Sequence, residues 1–80
     1  MNINLLDGTF DKSEAINIIT KFVDIKIKFQ EEKIKNSHNE EDVKMRESRI
    51  KKLQKDLYDA REHLSASSKF ISLNCFINVP

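Results

Sequence analysis

The chain reads as a mainly α protein of order β-α-α-β. The predicted form is an antiparallel two-helix hairpin, coiled-coil-like, carrying short N- and C-terminal strands and dimerising into a four-helix arrangement. Three observations predict it. Val43, Arg46, Ile50, Leu53, Leu57, Ala60 and Leu64 follow one another at alternating steps of three and four, a narrow stripe that only a helix packed on another helix puts to use. Residues 15–34 carry a second, broader apolar pattern at helical spacing. Both ends of the chain switch to a period of two, the mark of strands.

The elements follow in order. Asn2-Ile3-Asn4-Leu5-Leu6 alternates and Asp7-Gly8 breaks the run, so a short strand is expected over residues 2–6. A helix is expected over 11–36, with Asp11 as N-cap, Glu14 at the capping-box spacing, and Phe10 and Ala15 at the two positions of a hydrophobic staple. Ala15, Ile18, Phe22, Ile25 and Phe29 form its first apolar row. Ile16, Ile19, Val23, Ile27 and Ile34 form the second. Together they span an arc of about 200°, more than one partner helix covers. This helix is therefore expected to be central, with its second row buried by dimerisation.

Asn36-Ser37-His38-Asn39 ends the first helix, and a second is expected over 39–65. Asn39 suits the N-cap, and Glu40, Glu41 and Asp42 place carboxylates where the helix dipole favours them. Glu47–Lys51, Lys55–Asp59 and Asp42–Arg46 are spaced for ion pairs along its surface. After Ser65-Ala66-Ser67-Ser68, a strand is expected over 69–79 with Ile71, Leu73, Cys75, Ile77 and Val79 on one face. Phe70 and Phe76 fall on the other, polar face, which is expected to be partly covered as well. The two strands would pair antiparallel.

Composition narrows the function. Eighty residues amount to one domain, 1–80, and a chain this short buries only ~60–65% of the surface its unfolded form exposes. One cysteine and two histidines supply neither a disulfide nor a zinc site. Oligomerisation is the remaining way to add buried surface. The 14 basic residues are balanced by 13 acidic ones, whereas phosphate binding rewards a basic excess, so nucleic acid is an unlikely partner. No signal peptide or membrane span is legible, and a cytoplasmic location is expected.

Candidate sites are few. His38 and His63 fall at opposite ends of the hairpin and cannot share a metal, and Cys75 in its apolar run reads as a small buried hydrophobe. Glu40, Glu41 and Asp42 lack the ligand spacing of a calcium loop. Lys21, Lys28 and Lys35 make a basic stripe, but Asp24 and Glu31 share its face and no aromatic residues are interleaved for base stacking. One feature resists a purely structural reading. Lys26, Gln30 and Lys33 run down the middle of the first helix's apolar arc, and Tyr58 lies off the second helix's seam, where it could meet them. Lysines snorkel past apolar neighbours, so a packing role outweighs a ligand site there.

The segments Asp7-Gly8-Thr9-Phe10-Asp11-Lys12-Ser13-Glu14-Ala15, Lys26-Ile27-Lys28-Phe29 and Arg49-Ile50-Lys51-Lys52-Leu53 resemble a group of small bacterial helical-hairpin proteins of unknown function. The likeness spans most of the chain, its motifs are structural, and it implies no activity. Such proteins often carry a histidine where this chain has Gln30, a departure that weakens any site argued there. The expected function is a non-enzymatic interaction or assembly module. It would be a homodimer without cofactor, metal or catalytic residues, packed through Ile18, Phe22, Ile25, Phe29, Ile50, Leu53, Leu57 and Leu64. Two other readings stay open: a weak nucleic-acid-associated protein using the Lys21/Lys28/Lys35 face, and a small-ligand or enzymatic site at a subunit interface around Lys26, Gln30, Lys33 and Tyr58.

Overall fold

A computed structural model describes residues 1–67 and 70–80 of the chain. The order is β1 (Asn2–Asp11), α1 (Lys12–Lys35), α2 (Glu40–Ser65) and β2 (Phe70–Asn78), with the strands antiparallel in a two-stranded sheet. The β-α-α-β order is as the sequence predicts. Lys69, the expected first residue of the second strand, lies outside the described residues.

The first strand is the main correction. It does not stop at Leu6 but runs through Asp7-Gly8 to Asp11. Its pairing slips once, from Asn4↔Phe76 to Leu6↔Cys75, so that Leu5 is the extra residue of a β-bulge. The slip moves Leu6, Gly8 and Phe10 onto the face that Ile3 occupies before it, opposite Cys75, Leu73 and Ile71. Gly8 is not a turn residue, because it lies within the strand and pairs with Leu73. A Cβ there would sit 3.4 Å from the Phe10 ring, an ordinary contact, so the strand has room for a side chain at this position. Met1 and Val79 extend the ladder, each donating its nitrogen's proton to the other's carbonyl at 2.8 and 2.7 Å.

No linker separates β1 from α1. Asp11 ends the strand and caps the helix: its Oδ1 accepts from the Glu14 N–H at 2.8 Å, and the Asp11 N–H donates to Glu14 Oε1 at 3.2 Å. At the hairpin tip, Asn39 Oδ1 accepts from the N–H groups of Glu41 and Asp42 at 2.9 and 3.2 Å. Both caps satisfy backbone donors that the helices leave open. Two of the expected surface pairs close, Asp42–Arg46 at 3.1 Å and Lys55–Asp59 at 2.8 Å. Glu47–Lys51 does not, and Lys52–Asp56 at 3.3 Å forms instead.

Packing is thin. The Cα extents are 46 × 33 × 13 Å and the radius of gyration is 15.2 Å, where a compact 80-residue chain has about 12 Å. Among the described residues α1 touches α2 and both strands, whereas α2 touches neither strand. The first helix is therefore central, as its wide arc requires. Among the described residues only Ala15, at 0%, and Leu64, at 7% exposure, are buried. All five members of α1's second row are half-buried, as are Val43, Arg46, Ile50, Leu53, Leu57 and Ala60 along α2.

The open row is the first one, which corrects the expectation that the second would await a partner. Ile18 and Phe22 are half-buried, but Ile25 is 65% and Phe29 56% exposed. From Phe22 onward the helix and the sheet border an open apolar wedge lined by Leu5, Phe22, Ile25, Lys26, Cys75 and Ile77. On the outer face of the sheet Phe70 and Phe76 are both well exposed.

Candidate functional site

The polar line on α1 divides. Lys26 and Gln30 share a cleft between the helices with Arg49, Lys52, Leu53 and Asp56, about 300 Å³ in volume. Helical spacing of three and four puts Lys26–Gln30 on one side of α1 and Arg49–Lys52–Leu53–Asp56 on the facing side of α2. Lys33 leaves the line, its Nζ lying 5.5 Å from the centre of the Phe29 ring, where cation and ring attract at an exposed site. Tyr58 is exposed on α2 and lines neither this cleft nor the wedge. Within one chain the cleft brings Lys26 and Gln30 together, and Lys33 and Tyr58 do not line it.

Gln30 does have a partner, one that sequence reasoning missed. Arg46 donates from Nη1 to Gln30 Oε1 at 3.0 Å and from Nε to Asp42 Oδ2 at 3.1 Å. Arg46 is the one polar member of the α2 ladder, and that misfit was the available signal. Its stem lies in the seam while its guanidinium bridges the two helices. Hydrogen bonding from Arg46, then from Ser37, holds the Asp42 carboxyl below the usual carboxylate range. Farther along, Lys55 is raised by its bond to Asp59.

Two more cross-links sit at the base of the hairpin. Arg61 Nη2 donates to Thr20 Oγ1 at 3.1 Å, and that hydroxyl donates back to the Ile16 carbonyl at 2.7 Å. Lys12 Nζ donates to the Ser65 carbonyl at 2.9 Å, setting a cation against the C-terminal turn of α2, where the dipole favours one. These bonds fix helix register and leave little side-chain chemistry over.

The remaining candidates are scattered. Lys21, Lys28 and Lys35 are all exposed, and Asp24 and Glu31 are exposed too. His38 stands beside the N-cap of α2 and His63 in its last turn, roughly 37 Å apart along a helix rising 1.5 Å per residue. Cys75 is a free, half-buried thiol facing the wedge. Among the described residues no group of three His, Cys, Asp or Glu side chains is placed to hold a metal. No described helix is long and apolar enough to cross a membrane. The Lys26–Arg49 cleft is cationic, with Lys52 engaged by Asp56; its polar groups offer positive charge but no nucleophile oriented by a base. No family model, curated protein or solved structure matches the chain.

Proposed function

We propose that the chain is a non-enzymatic assembly module that works by associating with itself. One observation carries this reading: the apolar row of α1 and the inner face of the sheet line an open wedge that no other described residue of the chain covers. The surface area supports it. The chain exposes 6345 Å², whereas a compact monomer of its mass exposes about 5,000 Å². An excess of roughly 1,300 Å² on each of two copies falls within the ~2,000–5,000 Å² that obligate homodimers bury.

The polar content of the wedge points the same way. Lys26 at its margin is the only charged residue among those lining it, and depletion of charge marks the centre of a protein interface rather than a solvated groove. A catalytic or ligand-binding cleft would need convergent polar groups, and the wedge has none beyond that lysine.

Light scattering at micromolar concentration tests the reading. The expected result is a particle of twice the 9.4 kDa chain mass or more. A monomer with full helical content would overturn it.

A further inference from the structure

Among the described residues no further strand pairs with either edge of the two-stranded sheet, but the edges are not alike. The β1 edge is broken by the bulge at Leu5 and carries Asp7 and Asp11, devices that discourage further pairing. The β2 segment 70–79 has no charged residue, no glycine and no proline, and its pairing partners advance one by one except opposite Leu5. A strand so regular and so uncharged is a template for another strand. The geometry points to a specific occupant: the β2 strand of a second copy, antiparallel, with the two-fold axis at Leu73.

The backbone pattern says which groups would pair. Met1 and Val79 exchange two hydrogen bonds, and such pairs recur at every second residue of an antiparallel strand. Odd-numbered β2 residues therefore turn their N–H and C=O toward β1. Ser72, Asn74, Phe76 and Asn78 turn theirs to the open edge. The side chains then choose among the possible registers. With the axis at Leu73, Ser72 stands opposite Asn74 of the second copy and Phe76 opposite Phe70, while Ile71 meets Cys75 on the inner face. Phe70 and Phe76 are 60% and 59% exposed, and this register sets aromatic against aromatic, a favourable cross-strand pair. Moving the axis to Asn74 would set Phe76 opposite Ser72 and Phe70 opposite Asn78.

The pairing turns a marginal two-stranded sheet into a four-stranded one. It also joins the two apolar inner faces into one surface, with both α1 helices and their exposed Ile25 and Phe29 on the same side. The inference rests on the self-association proposed above and adds its surface and register.

Proline substitution separates the two edges. At an edge whose N–H faces outward, proline blocks a new strand while sparing the existing ladder. Sedimentation equilibrium of the full chain, Asn74→Pro and Thr9→Pro decides the matter, Thr9 being the matching outward position on β1 by its pairing with Ser72. The expected result is that Asn74→Pro weakens the dimer by about tenfold or more with helical content retained, whereas Thr9→Pro associates like the parent. A dimer that survives Asn74→Pro, or that Thr9→Pro dissociates as readily, overturns the edge assignment and leaves self-association standing. A monomeric parent chain overturns both. Should Asn74→Pro not fold, Leu73→Cys in a Cys75→Ser background replaces it. Across a non-hydrogen-bonded pair the Cα atoms lie about 4.5 Å apart, within disulfide reach, so oxidation should link the copies. No link at position 73, with a link through Tyr58→Cys in the same background, would equally overturn the assignment.

Discussion

The two sides of α1 are built differently. Toward α2 it presents a row that a matching ladder covers, held by polar bonds at both ends: Arg46–Gln30 near the tip, and Arg61–Thr20 and Lys12–Ser65 at the base. Toward the sheet it presents Ala15, Ile18, Phe22, Ile25 and Phe29, a heptad row of equal quality, and only its first residues are covered. The difference lies in the partner. The partner helix covers its row along the length of α1, whereas the sheet, entering without a linker at Asp11, covers the first residues of its row and leaves Ile25 and Phe29 exposed. One side of α1 closes within the chain. The other stays partly open among the described residues, with Ile25 and Phe29 exposed.

The sharpest way to break the comparison is to delete the sheet's second strand. Without residues 70–80, β1 loses its partner and the apolar start of α1 is bared, so cooperative thermal melting should vanish or give way to aggregation. A truncated chain that stays in solution and melts as before would show the sheet to be an appendage.

Single side chains come next. Leu64 is the one large buried residue among those described, and Leu64→Ala should cost about 2–4 kcal/mol. In calorimetry that lowers the melting temperature by ~10–20 °C at this chain length. Ile25→Ala, on the open side, should change the monomer's stability by no more than ~0.5 kcal/mol and act only through association. Equal losses at both positions would erase the distinction between the two sides.

Asp11 belongs to both sides, as cap of α1 and last residue of β1. Asp11→Ala should cost ~1 kcal/mol, the usual worth of a side-chain cap, visible as a few degrees in the same melts.

The smallest effect concerns pH. The Asp42 carboxyl is held below its ordinary value of 3.8, so its contribution is present above that pH and is lost as the pH falls through the lowered value. Arg46→Met should flatten this part of the acid-side stability curve, measured by melting between neutral pH and pH 3. An unchanged acid limb would remove Arg46 as the cause.

Much of this was legible in the chain because the signals are local. Asp11–Glu14 and Asn39 cap their helices by contacts within three residues, and the α2 ladder repeats a spacing that only a helix uses. What escaped the sequence depends on distant neighbours. Asp7-Gly8 has the chemistry of a turn, yet pairing with Asn74 and Leu73 keeps it extended. A clue was present in the adjacent Leu5-Leu6, where the apolar alternation slips by one residue and resumes at Gly8 and Phe10. Within one chain Lys26 and Gln30 share a cleft that Lys33 and Tyr58 do not line, for a related reason: spacing puts residues on one face but does not fix where long side chains end. Lys33 found Phe29, and Gln30 found Arg46.

The central claim is that this chain is half of its own interface. Sedimentation equilibrium of the unmodified protein over a range of micromolar concentrations tests it most directly. The account predicts a reversible association to twice the 9.4 kDa chain mass. A single 9.4 kDa species at every concentration, with helices and strands intact, would contradict it.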